Sequence, residues 1–300
     1  MKISHPQLLT ISLIKSYLQP YKANKIRLGS EFDGGYVVPN NSVVDADCLL
    51  TFGVSTNIDF EKDFNRLNPG ASVFMLDPFI GPFNDFKRLI KRILKLKKPI
   101  IRNIQLKKNK NYKEKPKTLL KEIYTRMVHW MGFYLFISKN NVKFWGKGIA
   151  ISTNKKFISF ADYFRENNIT RKKSVVLKID IEGNEYPLFN EILNYIHNIN
   201  VLLLELHDVS ENEEIIETFI AGLKNKGLYL IHIHGNNTDI CDENGLPNTL
   251  ELTFTTSSYC DIDCLDSGDF PVKGLDAPCT PIYEDYPLIF KTSTIQSINF

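Results

Sequence analysis

Residues 174–189 read SVVLKIDIEGNEYPLF, and this stretch constrains the fold more than any other part of the chain. Val175, Val176, Leu177 and Ile179 make an aliphatic, β-branched run of the kind that suits a strand covered on both faces, as in a parallel sheet. The run breaks at once into Asp180, Glu182 and Glu185, with Gly183 and Asn184 as a turn. Tyr186, Leu188, Phe189, Ile192, Leu193 and Ile196 then recur at helical spacing. Strand, acidic turn and helix form a unit that needs strands beside it and helices above and below.

The rest of the chain supplies them. Apolar runs at 48–54, 71–77, 142–151, 200–209, 228–234 and 250–256 bring the predicted strands to seven. Helical patterns lie between them in NIDFEKDFNRL, SFADYFRE, EYPLFNEILNYI and ENEEIIETFIAGLKNKG. The expected fold is therefore α/β, a seven-stranded, mostly parallel sheet with helices on both faces and ligands beyond the carboxyl ends of the strands. Only GNNTDICDENGLPN joins the last two runs, so the seventh strand is expected to return antiparallel to the sixth. Residues 25–41 carry FDGG between two short strand-like runs and predict a hairpin or Gly-rich lid near the top of the sheet.

Charge singles out one insertion. Residues 83–126 hold sixteen Lys or Arg against three acids, leaving 21 basic and 31 acidic residues elsewhere. A basic arm thus sits on an acidic body, with Phe86, Leu89, Ile90, Ile93 and Leu94 as the apolar stripe of a helix ended by Pro99. The arm suits an anionic membrane surface or a phosphate-bearing substrate, whereas nucleic acid is disfavoured because the acidic remainder repels a polyanion. At the N-terminus Leu9, Leu13, Ile14, Tyr17 and Leu18 predict a surface helix and not a signal peptide. No apolar run approaches the ~20 residues of a membrane span, and five cysteines in a long chain argue against a secreted disulfide framework. A cytoplasmic protein, peripheral at a membrane through the arm, is the expectation. Cys260 and Cys264, with Cys241 or Cys279, offer thiolates for zinc, but only one short ligand pair is present where structural zinc sites show two.

The chemistry is expected at the strand ends. Gly53 ends the first strand just before a helix start, which lets a ligand approach backbone amides, but the three-glycine spacing of dinucleotide binders is missing. Asp77 ends the second strand 24 residues later, where an acid either accepts hydrogen bonds from ribose hydroxyls or caps a helix. On the fifth strand Glu205 and His207 share a face, followed by Asp208. The sixth ends near His234, Asn236 and Asn237, and Glu251 begins the seventh. Carboxylates with imidazoles serve as a general base, a divalent-metal site or a hydrogen-bonded sugar pocket.

With LKIDIEGNE, RLGSEFDGGYVV, FGVSTNIDFE, LLLELHDV, HIHGNN and ELTF in this order over residues 25–256, the chain resembles the FkbM family of class I methyltransferases that depend on S-adenosylmethionine (SAM). The resemblance implies cofactor contacts from Gly53, Ser55, Asn57, Phe60, Glu61, Asp77, Asp180 and Glu182. It implies a substrate region of Asp33, Gly34, Gly35, Tyr36, Glu205, Asn236, Asn237 and Glu251. Catalysis would fall to His207 as base and Asp180 as the group orienting the acceptor, with Asp208 and His234 in reserve. The implied domains are residues 1–46 (N-terminal helix and DGGY hairpin), 47–260 (SAM-binding domain with the basic insertion 83–131) and 261–300 (an extension packing on it). The implied activity is O-methylation of a saccharide or glycoconjugate, with a divalent metal as an optional partner. The competing readings are a nucleotide- or nicotinamide-binding Rossmann enzyme and a non-enzymatic anion-binding protein on a methyltransferase-like body.

Overall fold

The computed structural model describes residues 12–81 and 114–290. Seven strands form the central sheet: β1 Cys48–Phe52, β2 Ser72–Leu76, β3 Val142–Trp145, β4 Val175–Ile179, β5 Ile199–Leu206, β6 Leu228–Gly235 and β7 Leu250–Thr256. Their order is β6-β7-β5-β4-β1-β2-β3. β7 runs antiparallel to both β5 and β6, and the other pairings are parallel. The central strands are buried at every position of β1 and β4, because both faces are covered.

Alternation along the strands divides the core in two. Leu50, Phe52, Leu177 and Ile179 point to one face, where they meet Phe160, Phe164, Ile192 and Leu223 from the helices Phe160–Glu166, Phe189–Tyr195 and Glu213–Asn225. Leu49, Val73, Val176 and Leu203 point to the other, against Phe60 and Phe64 of helix Asp59–Leu67 and Phe133 and Phe136 of helix Glu114–Ile137. The start of Phe160–Glu166 is set by Ser159, whose Oγ accepts the Asp162 amide at 3.1 Å.

Two expectations change. Instead of a helix, Ser12–Ile14 is a strand paired in parallel with Leu288–Phe290, followed by a single 3-10 turn at Ser16–Leu18. A partner strand nearly the whole chain away decided this, and no local pattern reports it. The run 142–151 is two strands, because the chain breaks at Gly146 and Lys147 and Gly148–Ala150 then pairs with Phe157–Ser159. The FDGG hairpin forms as expected, Lys25–Leu28 antiparallel to Tyr36–Pro39. The predicted arm helix over Phe86–Leu94 and the first residues of the N-terminal stripe lie outside the described residues. No helix among the described residues is long and apolar enough to cross a membrane. None of the five cysteines forms a disulfide among the described residues.

Candidate active site

The loops after β1, β2 and β4 converge. Gly53 has φ +79°, and a Cβ there would lie 1.6 Å from the Asp180 carbonyl oxygen, so only glycine lets the ends of β1 and β4 close together. Ser55 and Glu182, at φ 54° and 56°, also hold left-handed backbone that non-glycine residues adopt at a cost. Asp77 ties the first two loops. Its Oδ2 accepts the Ser55 amide at 3.0 Å, and its Oδ1 accepts those of Phe79 and Ile80 at 2.7 and 3.0 Å.

Above these loops opens a cavity of about 860 Å³ with Gly53, Ser55, Asp77 and Asp180 on its polar side. Phe79, Ile80, Ile149 and Ile151 give it apolar walls, and Met127 and Trp130 of helix Glu114–Ile137 also line it. An apolar chamber with a few convergent polar groups fits a nucleoside carrying a charged tail. SAM, a nucleoside with a charged amino acid tail, fits such a lining.

A second, polar pocket of about 380 Å³ adjoins the first, and Ser55, Asp180 and Glu182 line both. At its base the Tyr36 hydroxyl lies 3.1 Å from Asp180 Oδ2 and 3.0 Å from Glu205 Oε2. The Asn236 amide donates to Glu205 Oε1 at 2.9 Å. Buried Lys178 stands 3.7 Å from Asp180 Oδ2 and 4.6 Å above the Tyr36 ring centroid. Burial opposes the charge on Lys178, but Asp180, Glu61 and Glu205 outweigh it and raise its pKa. Burial, then Asp180 and Glu251, push the Glu205 carboxyl well above the usual range, and burial followed by Asp180 and Glu251 raises Asp33.

His207 stands at the rim with Nδ1 3.2 Å from Glu185 Oε1, while Nε2 lies 3.7 Å from Glu182 and 4.0 Å from Glu205. Glu185, fully buried, takes the amides of Ile181 and Gly183 on the same oxygen at 3.0 and 3.2 Å. Tyr186 donates its hydroxyl to the His207 carbonyl. Burial disfavours the imidazolium, yet the hydrogen bond and charge of Glu185, with Glu205 and Asp180, push its pKa up to about 9. The acids around the ring thus raise its affinity for a positive charge above that of a free imidazole.

Other expected residues are spread more widely. Asn57, Phe60 and Glu61 line the polar pocket and not the large cavity. Asn57 donates to the Asp33 carbonyl at 2.9 Å and so holds the glycine turn, where Asp33 and Gly34 face the pocket and Gly35 packs on Ser30 and Arg27. Glu182 is exposed, in contrast to Glu185. Asp208 is absent from the lining of both cavities, and its carboxylate accepts Asn248 at 3.3 Å. His234 lines neither cavity, and its ring is held by Glu251 at 2.8 Å and Asp285 at 3.0 Å. Asn237 spends its side chain on Thr280, Tyr283 and Glu284 of the C-terminal segment. Neither it nor Glu251 lines the polar pocket. Cys260 and Cys264 belong to neither metal-competent group found among the described residues, which are His234, Glu251 and Cys279, and Asp180, Glu205 and His207.

Sequence reasoning missed Lys178, although a lysine inside VVLKI was the visible signal. It undervalued Glu185. Phe79, Ile80, Met127 and Trp130 gave no signal, because apolar walls look like core.

No curated protein matches the chain. Among solved structures, the precorrin-6y C5,15-methyltransferase of Geobacter metallireducens aligns at 9% identity over 72% of this chain and 84% of its own, with a TM-score of 0.30. Aeropyrum pernix fibrillarin, in complex with S-adenosyl-L-methionine, aligns at 9% identity over 80% and 87%, with a TM-score of 0.33. The methyltransferase FkbM domain model matches residues 37–229, from just after the DGGY turn through β1, the acidic loop after β4 and on to the start of β6. The chain therefore belongs to the FkbM family of SAM-dependent methyltransferases.

Proposed function

We propose that this methyltransferase acts on a hydroxyl of a saccharide or glycoconjugate. The observation that carries the reading is that the large apolar-walled cavity and the small polar pocket share Ser55, Asp180 and Glu182. A donor in the first and an acceptor in the second meet beside Asp180. The acceptor side offers carboxylates, the Asn236 amide and the hydroxyls of Thr238 and Thr249, a set suited to a polyhydroxylated ring.

Bound SAM supplies a methyl carbon on a positive sulfonium. The residues of this chain have to align the acceptor oxygen with that carbon and receive its proton. Asp180 and Glu205, bridged by Tyr36, are the carboxylates that an acceptor hydroxyl reaches from the polar pocket. Lys178 beneath them fixes the position of Asp180, and His207, held by Glu185, closes the rim.

The reading includes attachment to an anionic membrane surface. It is supported by the basic segment 83–126 and by the exposed apolar row Tyr124, Val128, Met131 and Leu135 on helix Glu114–Ile137. Turnover tests the acceptor class: protein incubated with SAM and a panel of sugars, nucleotide sugars and lipid-linked glycans should yield S-adenosylhomocysteine and a methyl ether. Products confined to N-methyl amines or methyl esters would refute it.

A further inference from the structure

We propose that Asp180, Glu205 and His207 bind one divalent first-row cation, with Mn²⁺ as the representative ion, at the acceptor pocket. Their ligand atoms lie within 4.8 Å of one another, at the ends of the paired strands β4 and β5. Two carboxylate oxygens and one imidazole nitrogen form a donor set that suits such an ion and leaves coordination positions open to a pocket of about 380 Å³.

Three further observations point to a missing positive charge. A phenol has one hydrogen, yet Tyr36 stands within 3.1 Å of Asp180 and 3.0 Å of Glu205, so at any moment one carboxylate goes without that donor. Glu61 lines the same pocket, is 1% exposed, and its Oε1 has no hydrogen-bond partner among the described residues. The lining holds six acids, Asp33, Glu61, Asp180, Glu182, Glu205 and Asp239, against Lys178 and His207.

The histidine is already oriented for the task. Glu185 engages Nδ1 and is itself pinned by the Ile181 and Gly183 amides, which turns Nε2 toward the pocket, 3.7 Å from Glu182 and 4.0 Å from Glu205. A carboxylate behind the distal nitrogen is the arrangement that fixes the tautomer of a metal-binding histidine. The other group, His234, Glu251 and Cys279, lacks this opening, because both nitrogens of His234 are engaged by acids and all three residues are buried.

Cation binding stands by itself. Its use, to hold the acceptor oxygen and lower the pKa of its hydroxyl, rests on the methyl-transfer reading above. Chelator-stripped full-length protein titrated with Mn²⁺, with the free ion followed by its paramagnetic resonance signal, should bind about one ion per chain well below millimolar concentration. Asp180→Asn and Glu205→Gln should each remove this binding, and Glu185→Gln should weaken it about 10- to 100-fold. Cys279→Ser should leave it unchanged. Absence of binding to the wild type at millimolar Mn²⁺, binding that survives both Asp180→Asn and Glu205→Gln, or loss confined to Cys279→Ser would overturn the proposal. A thermal melt of each variant separates lost ligands from lost fold, and His207→Gln replaces any that does not fold. Calorimetric SAM binding on the same samples keeps the two readings apart: Mn²⁺ bound without SAM leaves the cation site and removes the methyl-transfer reading.

Discussion

Replacing Asp77 by alanine should weaken SAM binding by about 30-fold, and the structure gives the reason. The carboxylate accepts three backbone amides, from Ser55, Phe79 and Ile80, at 3.0, 2.7 and 3.0 Å, and so splints the loop after β1 to the loop after β2. Ser55 and Phe79 reach solvent and can be satisfied by water, but Ile80 is buried, and its amide would be left without an acceptor. One buried orphan costs about 1 to 3 kcal/mol. Some of that loss falls on the fold, and the rest falls on a cavity whose polar side is no longer preorganised. A share of about 2 kcal/mol at the site is a factor of about 30 in Kd. Isothermal calorimetry with SAM reads the loss, and a thermal melt lowered by about 2–4 °C per kcal/mol reads the remainder. A second comparison separates splinting from direct contact. If Asp77 also holds ribose hydroxyls, the wild type prefers adenosine to 2′,3′-dideoxyadenosine and the variant does not. A Kd within twofold of wild type, with that preference intact, would refute the assignment of Asp77 to the cofactor.

Lys178→Met should cost about 3–5 kcal/mol in urea unfolding, since it strips the buried cation from Asp180 and Glu61; a loss below 1 kcal/mol would show that the acids hold each other by shared protons. Tyr36→Phe keeps the ring that packs edge-on to Phe60 at 5.7 Å but removes the one hydroxyl shared by Asp180 and Glu205, so turnover should fall at least tenfold with SAM affinity within threefold, and steady-state kinetics decide it. The pKa of His234 is held well above its ordinary value: burial opposes its charge, but Asp285, Cys279 and Glu251 outweigh it. Its contribution is complete below the unfolded value of about 6.5 and is lost as pH rises through the folded one, so His234→Gln should flatten the decline of the urea midpoint above neutrality. An equal decline in both proteins would assign the pH dependence to other groups. Flotation with anionic and neutral vesicles should show salt-sensitive recovery with the anionic ones only; equal recovery would remove the membrane from the reading.

The sequence by itself determined the sheet. Seven apolar runs, the alternation with helical patterns and the direct junction of the last two runs were enough for strand number and for an antiparallel final strand, because burial on both faces writes itself into consecutive residues such as CLLTF and VVLKI. The acids at the strand ends were legible for the same reason, since a carboxylate that interrupts an aliphatic run has to leave the core. Which acids meet was not legible. Asp180 and Glu205 converge on Tyr36 from a hairpin more than 140 residues earlier, Glu185 turns inward while Glu182 turns out, and His234 is consumed by Asp285 of the C-terminal segment. The cavity walls at Phe79, Ile151 and Trp130 were equally silent, as an apolar side chain facing a ligand has the same sequence signature as one facing a neighbour. Periodicity reports that a residue is buried, but only the packing of distant segments decides against what. The orientation of the His207 ring follows from that packing, because it is set by Glu185, 22 residues away along the chain and 3.2 Å away in space.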